Sequence, residues 1–201
     1  MNLILLDDHE AILNGLCFFF EKNGISVLEK FTTGEELVEY IDKNKGPDFN
    51  PVVICDLQLE NGFAFETIEK LKEQKCKVVV YTMFRAVNII FRAFRCGACG
   101  FVFKNQEIKT LLEVVKTVDS GKTYIPPEVL SDYISGITVY SVLTSKEQKI
   151  LDYMMDNKNN DEIALALNVT TRTIENSFSR IYDKTGVKNK KELRRKIGLP
   201  D

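Results

Sequence analysis

The chain has 201 residues and a formal net charge of -2, which leaves room for two domains of roughly 100 residues each or for one large one. Its composition, 44% hydrophobic and 28% charged, is that of an ordinary soluble protein, and its apolar stretches fall far short of the roughly 18 residues a membrane span needs. Met1 leads directly into a strand pattern with no basic start or cleavage site, so a cytoplasmic protein with no membrane partner is expected.

The five cysteines agree, because an odd number at irregular spacing makes a poor disulfide framework. Charge divides the chain unevenly. Residues 143–201 carry 12 Lys+Arg against 9 Asp+Glu, and residues 1–142 carry 15 against 20.

In chain order, five apolar runs occupy the acidic part. LILL comes first, SVL lies near residue 27, PVVIC ends at Cys55, KVVVY ends at Tyr81, and CGFVF ends at Phe103. Between them lie segments of helical period, among them Ala11 to Lys22, and Glu35 to Lys43 behind the capping signal Thr33 and Glu36. Strands alternating with helices predict an α/β fold, a doubly wound five-stranded parallel sheet with helices on both faces. In RAFRCGACGFVF the pair Cys96 and Cys99 falls where a helix gives way to a strand. That is the reverse of the order a thioredoxin-like motif needs, so the small residues read as a tight turn.

An open sheet of this kind binds ligands at the carboxyl ends of its strands. The first run ends in Asp7 and Asp8, the third in Asp56, the fourth in Thr82 and the fifth in Lys104. Two adjacent carboxylates oppose each other's ionisation unless water or a cation compensates them. Hard oxygen ligands grouped in this way suit Mg²⁺. The chemistry indicated is phosphoryl transfer onto a carboxylate, with Asp56 as the phosphoacceptor and the metal held by Asp8 and Asp56. Lys104 and Thr82 would hold the phosphoryl oxygens, and Asp7 would act on the metal indirectly by orienting its waters. His9, the only histidine, reads as packing or surface.

Together, Asp7, Asp8, Asp56, Thr82 and Lys104 resemble the receiver domain of two-component response regulators over roughly residues 1–120. The resemblance implies a flavodoxin-like receiver fold and a sensor histidine kinase as phosphoryl donor. It also implies a role for the backbone carbonyl of Gln58 as a metal ligand. The stretch GACGFVFK is similar to the family's approach to its lysine, which puts Phe101 at the aromatic switch position. Glu60 and Asn105 stand where family members often have proline.

From about Gly121 to Val142 the chain holds Pro126, Pro127, Gly136 and several serines, and reads as a linker with a short helix around Glu128 to Ile134. A small all-α domain over residues 143–201 follows. Thr144 and Glu147 form a capping box opening one helix, DEIALAL is a second that stops at Asn168, and a third runs from Thr170 or Thr171 to the C-cap Gly186. Asn189 and Glu192 cap a fourth.

Two helices joined by the short turn LNVT, the second with polar and basic residues on one face, suit a helix-turn-helix. From Arg172 to Lys196 there are nine Lys+Arg against three Asp+Glu. Charge alone leaves two readings open, a phosphate-attracting face or a helical bundle whose charges meet water.

The segment resembles the LuxR-type helix-turn-helix of NarL/FixJ response regulators, matching at Leu143, Thr144, Glu147, Glu162, Ile163, Ala164, Thr173, Ile174, Lys184, Gly186 and Val187. The resemblance implies a homodimer that binds double-stranded DNA through Thr171, Arg172, Glu175, Asn176, Arg180, Lys184 and Lys188. Glu175 stands where the family usually has lysine and Ser177 where it usually has histidine, and both are expected on the DNA face.

The chain is thus expected to be a transcriptional regulator and not an enzyme. One alternative is a regulator that acts through protein contacts without strong DNA binding. Another is an aspartyl-phosphate phosphatase, which fits less well because that class spaces its two aspartates as D-x-D whereas Asp7 and Asp8 are adjacent.

Overall fold

A computed structural model describes residues 1–46 and 49–199. The chain divides into two compact units, Met1–Arg85 with Ile89–Pro126 and Ala86–Asn88 with Pro127–Asp201.

The first unit alternates strand and helix: β1 (Asn2–Leu6), α1 (Glu10–Lys22), β2 (Ser26–Phe31), α2 (Gly34–Asn44), β3 (Val52–Cys55), the two-residue strands β4 (Gln58–Leu59) and β5 (Gly62–Phe63), α3 (Phe65–Glu73), β6 (Lys77–Thr82), α4 (Val87–Cys96), β7 (Ala98–Phe103) and α5 (Ile108–Asp119). The five long strands form one sheet in the order β2-β1-β3-β6-β7, every neighbouring pair parallel. Each of the five apolar runs becomes one of these strands. Between them, β4 and β5 form a small antiparallel hairpin that turns at Glu60 and Asn61.

Strand period sorts the core. Leu3, Leu5, Val52, Ile54, Val79, Tyr81 and Val102 pack with Leu13, Leu16 and Phe20 of α1 and with Leu111, Val114, Val115 and Val118 of α5. The alternate residues, among them Ile4, Val53, Val78, Val80 and Phe101, are equally buried and face the other way. With both faces covered, the strands need the near-continuous apolar runs that the sequence supplies.

The winding direction reverses at β1, since β2 lies on one side of it and β3 on the other. The connections leaving β1 and β3 therefore diverge and open a crevice at the strands' carboxyl ends. Leu6 pairs with Cys55, and the Asp56 amide donates to the Leu6 carbonyl at 2.8 Å, so Asp7 and Asp56 leave the sheet side by side. Likewise the Lys104 amide donates to the Thr82 carbonyl at 2.8 Å.

The segment 121–142 carries more structure than the linker expected there. Tyr124 pairs with β7, its amide donating to the Cys99 carbonyl at 3.0 Å and its carbonyl accepting from the Phe101 amide at 3.2 Å. A 3-10 turn (Pro127–Val129) leads into α6 (Leu130–Ser141), which runs well past the short helix expected around Glu128 to Ile134. Gly136 and the serines read as breakers, but packing overrides them: Val139 and Tyr140 are buried, the Tyr140 hydroxyl donates to Asp152, and Gln148 Nε2 donates to the Tyr140 carbonyl at 2.9 Å. These contacts make α6 part of the second unit.

That unit continues with α7 (Ser145–Met155), α8 (Asn160–Ala166), α9 (Thr171–Thr185) and α10 (Lys190–Lys196). Its caps are those written in the sequence. Thr144 and Glu147 form the capping box of α7, Asn159 and Glu162 that of α8, and the Thr170 side chain accepts from the Thr173 amide to open α9. Gly186 ends α9 at φ 69°, a left-handed conformation that favours glycine. The α10 cap differs in one respect. Asn189 accepts from the Glu192 amide, but the Glu192 carboxylate reaches back to the Lys188 amide at 2.8 Å instead of the cap residue's own.

Gly100 of β7 is packed against the core face of α5, where a Cβ would stand 3.0 Å from both Val114 Cγ1 and Val118 Cγ2. Gly100→Val is expected to destabilise this unit by about 1–3 kcal/mol through overpacking. Gly46→Val, where among the described residues no atom beyond the chain neighbours lies within 4 Å of the added carbon, should change stability by less than about 0.5 kcal/mol. Denaturant titration of both variants against the wild type compares them directly.

Candidate functional site

At the crevice the structure brings Asp7, Asp8, Asp56, Thr82 and Lys104 together. Lys104 Nζ donates to Asp7 Oδ2 at 2.6 Å and to Asp56 Oδ2 at 2.7 Å, with side-chain exposures of 10%, 2% and 8% for the three. Burial lowers the ammonium's pKa, but the two carboxylate bonds outweigh it and hold Lys104 above the ordinary lysine value. The other oxygen of Asp56 accepts from the Gln58 amide at 3.3 Å. Gln58, Thr82, Phe84 and Lys104 line, with Asp56, a cavity of ≈520 Å³.

His9 is at the surface, as expected, and also bonded to the pocket. Its amide donates to Asp7 Oδ1 at 3.0 Å, and its ring Nδ1 lies 2.7 Å from Asp8 Oδ1. Sequence reasoning did not assign it that place. Asp7, Asp8 and His9 each offer a ligand atom within 4.8 Å of the others. With Asp56 beside them the donor set is mainly carboxylate oxygen, which fits a hard divalent cation such as Mg²⁺.

Thr82 is buried, and its hydroxyl accepts from the Phe84 amide at 3.5 Å. Phe101 is wholly buried, with ring centroids 6.4 Å from Phe94 and 5.5 Å from Phe103. A second aromatic group, absent from the sequence reading, links the loop after Thr82 to the hairpin after Asp56: Phe63 lies 5.3 Å from both Phe84 and Phe65.

In the second unit, α8 and α9 pack against each other across the turn at residues 167–170, with Asn168 at φ 52°. The apolar stripe of α9 faces inward through Ile174, Phe178 and Ile181, and Arg172, Glu175, Asn176 and Arg180 face outward. Thr171 donates to Asp161 at 2.7 Å. Lys188 is exposed just beyond the helix.

Ser177 is a correction. It is 1% exposed, donates to the Thr173 carbonyl at 2.9 Å and accepts from Arg180 Nη2 at 3.2 Å, so it is not on the outward face. At about 100° per residue it lies about 40° beyond Ile181, at the edge of the inward stripe and well away from Arg172 and Glu175. Lys184 is engaged inside the unit, its Nζ 2.7 Å from Glu147 Oε2 on α7. The 37 positions between them leave no local signal from which that pair could be read.

Comparison with known proteins follows this division. The family model described as "Response regulator receiver domain" matches residues 3–116, and that described as "Bacterial regulatory proteins, luxR family" matches residues 141–197. The chain is similar to the transcriptional regulatory protein DesR of Bacillus subtilis, 29% identical over 96% of this chain and 94% of DesR. It is also similar to the DNA-binding transcriptional activator EvgA of Escherichia coli, 26% identical over 98% and 100%. Among solved structures, a complex of the two-component response regulator RcsB with DNA superposes with TM-score 0.61 at 25% identity, over 98% of this chain and 97% of that one.

The Glu147–Lys184 pair gives the helical unit a pH dependence. Burial raises the Glu147 carboxyl, but Lys184 and both Thr144 donors outweigh it, so its folded pKa lies below the usual glutamate value. A depressed carboxylate contributes stability that is complete above the unfolded pKa of about 4.5 and is lost as pH falls through the folded value. Glu147→Gln is therefore expected to cost about 1–3 kcal/mol at pH 7. The gap between variant and wild type should narrow as pH falls below about 4.5 and through the lower folded value, as read by denaturant unfolding of the α7–α10 region at pH 7 and over an acid series.

Proposed function

Because the chain belongs to the response-regulator receiver family and carries a LuxR-type DNA-binding domain, we propose that it is a cytoplasmic DNA-binding regulator that takes a phosphoryl group on Asp56 and acts as a homodimer. Transcription regulation is the function of its relatives. No helix among the described residues is long and apolar enough to cross a membrane. The observation that carries the reading is the Lys104 ammonium bridging Asp7 and Asp56 at the sheet's switch point.

In the forward step, an oxygen of Asp56 bonds to phosphorus while the P–N bond of a phosphohistidine on a sensor kinase breaks, and the imidazole leaves with its electron pair and takes up a proton. The pocket prepares Asp56 by holding its Oδ2 2.7 Å from the Lys104 ammonium. Lys104 has three donors, so it can keep Asp7 while turning one toward a phosphoryl oxygen. The Thr82 hydroxyl, held only at 3.5 Å, is free to supply a further donor. Asp8, Asp56 and the Gln58 carbonyl would hold Mg²⁺, with Asp7 acting through water. Bound there, the ion supplies positive charge against the incoming phosphoryl oxygens.

Regulation through protein contacts alone is the competing reading, and the outward charges of α9 favour DNA. Arg172, Arg180 and nearby Lys188 are exposed and suit phosphate contacts.

Two measurements test the proposal. A small phosphoramidate donor should label the wild type in Mg²⁺ and leave Asp56→Asn unlabelled, and chelation should stop labelling. Lys104→Ala should reduce labelling and abolish any phosphorylation-dependent rise in DNA affinity. Labelling that persists in Asp56→Asn or without a divalent ion removes Asp56 from the role.

A further inference from the structure

The outward face of α9 has an unusual composition for a helix meant to approach a polyanion. Its first two turns expose Arg172, Glu175 and Asn176, and Arg180 follows one turn later. Ser177 is buried and Lys184 is tied to Glu147. The arginines suit phosphates, as they would on any DNA-binding helix. Glu175 and Asn176 do not. A carboxylate is repelled by the backbone, and a neutral amide gains little from it compared with a cation.

Glu175 is half-exposed and lies 3.5 Å from Arg172 Nη1, so part of its charge is offset before any DNA arrives. That pairing lowers the cost of bringing a carboxylate into the groove. In a helix-turn-helix the N-terminal residues of the second helix reach base edges, and Glu175 and Asn176 are the fifth and sixth residues of α9. There the chemistry of each has one good match. An acceptor-only carboxylate pairs with the amino group of cytosine, and a side-chain amide pairs through its donor and acceptor with the N6 and N7 of adenine. Consecutive helical residues rise about 1.5 Å and point about 100° apart, so the two side chains leave the same turn toward different, nearby base pairs.

Resting on the DNA-binding reading above, we infer that Glu175 and Asn176 are the base-reading pair of α9, Glu175 accepting from a cytosine amino group and Asn176 pairing with an adenine in the next base pair. The half-site then holds a C·G pair beside an A·T pair, and the arginines on either side set the register without reading sequence.

The test is selection from random duplexes with the full chain, followed by titration of the winning sequence and its single-base variants. Wild type should enrich adjacent cytosine and adenine positions, each mismatch weakening binding by about 5- to 150-fold. Glu175→Gln should relax the cytosine position alone, and Asn176→Ala the adenine position alone. Both side chains are exposed, so these variants should fold, and their circular dichroism is checked first.

If Glu175→Gln tightens binding to all duplexes alike and keeps the base preferences, Glu175 faces phosphate and the inference is wrong. Unchanged preference in Asn176→Ala overturns the second half. Wild-type binding without base preference overturns the inference and leaves DNA binding standing. No binding to any duplex at low salt overturns the DNA-binding reading itself.

Discussion

Lys104 Nζ stands 2.6 Å from Asp7 and 2.7 Å from Asp56, and that ammonium is what lets two buried carboxylates end adjacent strands of one sheet. Without it each carboxylate would oppose the other's ionisation inside a region that water barely reaches. Lys104 is itself mostly buried, and burial alone would lower its pKa, which the two carboxylates more than offset. The three groups therefore stabilise one another's charges, and removal of any one leaves the others costly, by several kcal/mol for a buried pair. A phosphoryl group arriving on Asp56 adds negative charge to this set, and the balance must be restored by moving Lys104, by a further cation, or by both. The pocket is thus poised to change when its charge changes.

The sheet explains why these groups meet although they lie as far as 97 positions apart. Parallel strands with a reversal at β1 send all their carboxyl ends to one edge, and a residue following each apolar run is delivered there by register alone. This is why Asp7, Asp56, Thr82 and Lys104 were legible from the sequence. Each is the first polar residue after a run of apolar side chains, and strand ends are among the clearest signals a chain carries. The helix caps were legible for a similar reason. Thr144 with Glu147 satisfies backbone groups three residues away, so the sequence alone contains both partners, and the Asn159–Glu162 box of α8 has the same spacing although the sequence reading passed over it.

What the sequence did not show depends on contacts between distant segments. The full length of α6 was hidden because Gly136 and its serines have weak helical propensity, and the burial of Val139 and Tyr140, with Tyr140 bonded to Asp152 and Gln148 of α7, supplies what propensity lacks. Family resemblance placed Ser177 on the outward face, but helical phase puts it only at the edge of the inward stripe, and its burial and bond to the Thr173 carbonyl, set by packing, decide its side. The Glu147–Lys184 pair, and the contacts of Phe63 with Phe84, join groups whose spacing follows no local period.

Phe101 narrows the ways a charge change at Asp56 can leave the pocket. Its ring is wholly buried and already packed beside Phe94 and Phe103. The groups with room to respond lie on the loop after β6. The Thr82 hydroxyl is held by one long bond from the Phe84 amide, Met83 is exposed, and the Phe84 ring rests edge-on against Phe63. If the hydroxyl turns toward a phosphoryl oxygen, the Phe84 amide loses its acceptor and must find another. The ring contact with Phe63 then couples that adjustment to the hairpin following Asp56 itself. Signal and acceptor would share one aromatic contact, and Thr82, not Phe101, would be the first residue to move.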